Sequence, residues 1–218
     1  MRYLSWAVFY EGSSDGMYLD VLLPRIVRDL ILREGTSLVE VADLPAVKVG
    51  AKDRWIDAVA REACDFSKAF DVIFVHADAG GRGLEQGLSR RADAYCGALS
   101  ERCNWPSDRC VTITPRHETE AWLLADGAAV TDALGYRGDP TDVGLPANAR
   151  EAERLVDPKN TLSTAVGIIS GRRKRPNIYT IFPAVAQRQR LHALRQSSSF
   201  LDLENSIRTC LRSLQLIG

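Results

Sequence analysis

The chain is poor in the features that would assign a protein at sight. Lys+Arg and Asp+Glu both number 28 in 218 residues, so the formal charge is zero. No global field selects nucleic acid or a lipid surface, although charge segregated on one face is compatible with either. No stretch approaches the ~20 apolar residues of a membrane span. The N-terminal apolar run is too short for a signal segment and is followed at once by Glu11. Five cysteines, Cys64, Cys96, Cys103, Cys110 and Cys210, form no CxxC pair and no regular framework. They read as reduced, buried thiols in a cytoplasmic protein. There are no internal repeats. Neither GxxxxGKS/T nor GxGxxG occurs, so ATP binding by this chain is not expected. No Ser-His-Asp spacing or cysteine nucleophile stands out.

What is present is an alternation of buried strands and amphipathic helices. Trp6–Tyr10 is a short apolar strand running into Glu11-Gly12, and Ser13, Ser14 and Asp15 open a helix. That helix carries Leu19, Leu22, Leu23, Ile26, Val27, Leu30 and Ile31 at helical spacing, with Pro24 expected to kink or split it. Ser37–Val41 and Ala46–Val49 are β-prone around Pro45 and together read as a second strand, at an edge. Asp53 caps the next helix, with Trp55, Ile56, Val59, Ala60, Ala63 and Phe66 on its buried face. Phe70–Val75 is apolar but for Asp71, as buried parallel strands are, and ends in His76-Ala77-Asp78 and a glycine-rich turn containing Arg82. A helix over Leu84–Asn104, a strand over Cys110–Thr114 and a helix in His117–Asp126 follow.

Residues 1–126 thus predict an α/β domain with a mostly parallel four-stranded sheet and helices on both faces. Residues 127–218 predict a helical region packed on it, with helices at Arg150–Leu155, Thr161–Ser170, Ile178–Arg195 and Phe200–Leu216. Three strand ends carry acids or histidines: Glu11, His76 with Asp78, and His117 with Glu118 and Glu120. In a doubly wound sheet these ends share one edge, where ligands bind. Isolated carboxylates converging there suit Mg²⁺ or Mn²⁺, which prefer oxygen ligands and serve phosphodiester chemistry.

The glutamate of EGSSD after the first strand, with HADAGG after a central strand, resembles the Toprim domain of topoisomerases, primases and OLD-family nucleases. HETEAWLLAD (His117–Asp126), DPKNTL (Asp157–Leu162) and SSSFLDLENSI (Ser197–Ile207) are similar to the signatures of small stand-alone OLD-like Toprim proteins of bacteria, neighbours of the RloB-like proteins. The resemblance covers nearly the whole chain and implies a Rossmannoid Toprim-like fold. It implies a metal-dependent nuclease, the effector of an anti-phage system working with an ABC-type or AAA ATPase partner. By position, Glu11, Asp78 and Glu120 match the catalytic, metal-holding carboxylates, with Asp15 and His76 in metal-site support and Lys159 as a catalytic lysine. Arg82 and the basic run Arg172, Arg173, Lys174 and Arg175 are the expected nucleic-acid contacts, with DNA favoured over RNA. No membrane partner is expected, and self-association is allowed. The chain is too short to carry the further domains of a topoisomerase.

One departure matters: His76 stands where the resemblance asks for an aspartate, which lowers the negative charge of the site. It favours an alternative, a catalytically degenerate Toprim module that binds or regulates an ATPase complex. Structural alternatives also stand beside each residue. Glu11 can cap the next helix, Asp78 can be a turn acid, His76 a satisfied structural histidine, His117 a turn residue and the basic run a solvated loop. Glu118 and Glu120 point in different directions if both are helical, and Glu118 is then the partner of the helix dipole.

Overall fold

The structure is a computed structural model, and it describes residues 2–10, 12–49, 56–77, 88–171 and 177–218, with backbone alone for 88–91. The expected sites Glu11, Asp78, Arg82 and Arg172, Arg173, Lys174 and Arg175 lie outside the described residues, as do Asp53 and Trp55.

The main sheet is parallel throughout. It joins β2 (Trp6–Phe9), β4 (Val47–Val49), β5 (Val72–His76) and β6 (Cys110–Ile113) in the order β4-β2-β5-β6. A two-stranded parallel ribbon pairs β1 (Arg2–Leu4) with β3 (Val39–Val41). The segment from residue 37 to 49 therefore forms two strands in two sheets, not one. The chain changes partners at Ser5, whose amide is taken by the Asp71 carboxylate at 2.9 Å and leaves the ladder.

The strands alternate strictly, as a pleat requires. Trp6, Val8, Phe74, Val111 and Ile113 face one core, and Ala7, Phe9, Ile73 and Val75 face the other. α2 (Ile56–Asp65) and α3 (Leu88–Cys103) cover the second face. α1 (Ser13–Glu34) and the C-terminal helices cover the first. Those helices are α4 (Thr119–Leu123), α5 (Gly127–Ala133), α6 (Ala149–Ala152), α7 (Pro158–Ser170), α8 (Phe182–Arg188), α9 (Leu191–Leu194) and α10 (Ser198–Ser213). The α/β fold with a helical C-terminal region is as the sequence predicts. Among the described residues no helix is long and apolar enough to cross a membrane.

Several local expectations change. α1 runs unbroken through Pro24, because Leu22, Leu23, Ile26 and Val27 on both sides are buried and hold the turns that the missing N–H would loosen. Phe66 is 52% exposed, since α2 ends at Asp65 and the chain turns away. The helix expected over Ile178–Arg195 breaks at Gln189-Arg190. There the Gln189 amide side chain donates to the Trp122 and Leu123 carbonyls at 2.8 and 3.1 Å, and accepts from Tyr18 at 2.6 Å. The Arg190 amide goes to the Asp126 carboxylate at 2.9 Å instead of a helical carbonyl. Tertiary partners outbid the local ladder.

The reading of the cysteines as reduced thiols does not hold. Cys64 of α2 is bonded to Cys103 of α3, and Cys96 of α3 to Cys110 of β6. Cys96 and Cys103 lie two helical turns apart, on the face of α3 that meets both neighbours. Cys210 is free and buried.

Candidate functional site

The strand order reverses between β2 and β5, so their carboxyl ends flank the switch point of the sheet, the place where α/β folds take their ligands. Asp15 enters it from the first turn of α1. Its Oδ2 accepts the Gly12 amide at 2.9 Å, closing the helix start, and its Oδ1 accepts the Thr119 hydroxyl at 2.9 Å. A Cβ at Gly12 would lie 2.9 Å from Asp15 Oδ2, so a side chain there would displace the carboxylate.

His76 is the last residue of β5 and is fully buried. Its Nε2 lies 3.2 Å from the Thr119 hydroxyl oxygen, and its Nδ1 lies 3.7 Å from Asp15 Oδ2. The hydroxyl has one proton, which goes to the acceptor-only carboxylate; Nε2 must then carry the proton that the hydroxyl oxygen accepts. Asp15, Thr119 and His76 thus form a buried chain that ties α1, α4 and the end of β5 together. Thr119 was missed by sequence reasoning; the only trace of it is its place between the two glutamates of HETE.

Glu120 follows on α4 and is 6% exposed. Burial pushes its carboxyl up to about 7; its own backbone pulls it down, the negative charges of Glu118 and Asp15 add to the rise, and Lys159 opposes it. Glu118 is not helical: it is the N-cap residue of α4 and its side chain makes no capping hydrogen bond. It thus stands at the N-terminus of α4, the end where an acid meets the helix dipole, and the two glutamates share one electrostatic neighbourhood.

Lys159 arrives from a separate helix start. The Asp157 side chain accepts the Asn160 amide at 2.8 Å and Pro158 opens α7, three residues ahead of the expected start at Thr161, which sets Lys159 in the first turn. Its ammonium lies 5.3 Å from the centre of the Tyr179 ring. Tyr179 first, and then Glu120 and Glu118, hold it charged above its ordinary range, against some desolvation. Tyr179 too was invisible in sequence. At the β2 end, Tyr10 donates its hydroxyl to Asp20, which also accepts Lys48 at 2.6 Å. Burial, then Asp20, keeps the phenol neutral well above its ordinary range.

The structure therefore brings together Asp15, His76, Thr119, Glu120, Glu118 and Lys159. Among the described residues no three His, Cys, Asp or Glu side chains are gathered closely enough to hold a metal ion. Two of the three expected carboxylate ligands, Glu11 and Asp78, lie outside those residues. The donor chemistry that is described suits a hard cation: oxygen atoms of acids that repel one another, one of them buried with its proton affinity raised.

The SSSF and WLLAD segments have structural work as well. Glu153 fills the N-terminus of α10, accepting from Ser197, Ser198 and Ser199. Trp122 donates to the Ser199 hydroxyl at 2.8 Å, and Asp126 takes a paired contact from Arg190 at 2.7 and 3.0 Å. Comparison with protein-family models, with curated proteins and with solved structures gave no match.

Proposed function

We propose that this chain is a divalent-metal-dependent phosphodiesterase of the Toprim/OLD type acting on nucleic acid. The observation that carries the reading is Glu120, a buried carboxyl at the carboxyl edge of a parallel sheet, raised to about 7 amid Asp15, Glu118 and Lys159. An acid in that setting is costly without a cation to offset it. Mg²⁺ or Mn²⁺ held by Glu11, Asp78 and Glu120 would polarise the phosphoryl oxygen and ease water activation. Glu11 takes a proton from the attacking water. Asp15, through Thr119, sets the position of His76 at the end of β5. Lys159, kept charged by Tyr179, sits near enough to Glu120 to steady a phosphate or the departing oxygen. The resemblance adds the setting: an anti-phage effector driven by a partner ATPase, which supplies the nucleotide chemistry that this chain has no motif for.

A second reading has its own observation. His76 is fully buried and engaged with Thr119, where the resemblance asks for an acid. That favours a module that binds nucleic acid or an ATPase without cutting.

The test is incubation of the purified chain, alone and with the partner ATPase, with plasmid, single-stranded DNA and RNA in Mg²⁺ or Mn²⁺. Cleavage by wild type that is lost in Glu11→Ala, Asp78→Ala and Glu120→Gln supports the nuclease. Equal inertness of wild type and variants with the partner present leaves the binding module. Hydrolysis of nucleotides alone assigns a small-substrate phosphohydrolase to the same edge.

A further inference from the structure

The site described above leaves Arg116 unused. It lies in the loop between β6 and α4, three residues beyond Ile113 and three before Thr119. Ile113 is the register partner of His76, and its carbonyl accepts the Ala77 amide at 3.1 Å. Thr119 touches His76 directly. Both flanks of Arg116 are thus pinned to the end of β5. Three residues of chain reach about 10 Å at most, so the loop cannot carry Arg116 away from the carboxyl edge.

The side chain is half-buried, and its Nε is closed off from solvent with no hydrogen-bond partner. The other inward-leaning arginines are matched: Arg190 meets Asp126, Arg195 meets Glu204 and Arg208 meets Glu34. A shielded N–H on a permanent cation needs an acceptor, and a negatively charged one above all. Among the described residues no acceptor reaches this N–H, and a bound oxyanion would supply one. An oxyanion with several equivalent oxygens can meet a guanidinium while its other oxygens face a cation.

We propose that Arg116 grips a phosphoryl oxygen of the bound phosphodiester, beside the carboxylates. This rests on the nuclease reading for the identity of the anion, and it names the residue that orients the phosphate. Arg116 holds a non-bridging oxygen through its planar fork and so fixes which face of the phosphorus meets the attacking water.

Arg116→Ala, Arg116→Lys and Arg116→Met are compared with wild type in two binding assays. One follows a labelled oligonucleotide, single-stranded and duplex, by fluorescence anisotropy with Ca²⁺ as the cation. The other follows pyrophosphate by calorimetry. Arg116→Ala is expected to lose at least about tenfold in affinity for both, and Arg116→Lys to recover part, because an ammonium restores charge but not the fork. The melting temperature of Arg116→Met stays at or above that of wild type, since a donor without a partner is removed. If wild type binds pyrophosphate, Arg116→Ala does not, and no polymer is bound or cut, the anion site stands and the nuclease reading falls. Equal binding by Arg116→Ala and wild type overturns the proposal. So does a wild type that binds neither probe, or a marked drop in melting temperature for Arg116→Met, which would make the residue structural.

Discussion

Replacing Glu153 by alanine should destabilise the fold more than any other single polar change outside the candidate site. The carboxylate is 5% exposed and accepts five hydrogen bonds. Three come from the Ser197, Ser198 and Ser199 hydroxyls at 2.6, 3.1 and 2.6 Å, and two from the Ser198 and Ser199 amides at 3.0 and 2.9 Å. Its removal strands donors at the start of α10, whose Phe200, Leu203 and Ile207 are buried against the sheet. Removing an acceptor and leaving buried donors unsatisfied costs about 1–3 kcal/mol or somewhat more where several are stranded, and in a chain of this size each kcal/mol is worth about 2–4 °C. Glu153→Ala should therefore melt about 10 °C below wild type. Burial raises the carboxyl, but the serine hydrogen bonds outweigh it and hold it below the ordinary carboxylate range. The folded value lies below the unfolded one, so this stabilisation is present above pH ~4.3 and fades as pH falls through the folded value. Urea unfolding of wild type and variant at pH 7 and at acidic pH checks both points. A gap under about 1 kcal/mol at pH 7, or one that widens on acidification, would refute the reasoning.

Glu120 has the opposite sign. Its folded value of about 7 lies above the ordinary value of 4.5, so without divalent cation stability falls as pH rises between them. Glu120→Gln should then gain on the order of 2–3 kcal/mol at pH 8 and little at pH 4, read by thermal melts in chelator. Thr119→Val cuts the link between Asp15 and His76 and should cost about 1–3 kcal/mol, while Thr119→Ser stays close to wild type; chemical denaturation separates them. Reduction should weaken the second face of the sheet. The Cys64–Cys103 and Cys96–Cys110 bonds close separations of 39 and 14 residues, worth about 4 and 3 kcal/mol of unfolded-chain entropy. Unfolding with and without reductant, alongside Cys64→Ser and Cys110→Ser, measures each. Asp126→Asn should lower stability at pH 7 by roughly 1–3 kcal/mol by loosening Arg190, and a double cycle with Arg190→Met should show the two effects to be non-additive.

What could be read locally was legible in the residues. The largely apolar stretch Phe70–Val75 read as a doubly covered strand, and alternating elements as a parallel sheet with covered faces. The carboxyl ends of those strands followed as the place for a site, because parallel connections put them on one edge. The tertiary structure decided what depends on contacts far apart in sequence. Gln189 ends a helix because Tyr18, Trp122 and Leu123 bond to it. The segment from residue 37 to 49 divides between two sheets because Ser5 gives its amide to Asp71. Cysteines 39 and 14 residues apart meet because α3 lies between α2 and β6. Thr119 joins Asp15 to His76 across 104 and 43 residues of chain. Periodicity and capping act over one or two turns and leave a mark in the sequence, whereas a hydrogen bond across the fold depends on geometry that no short stretch contains.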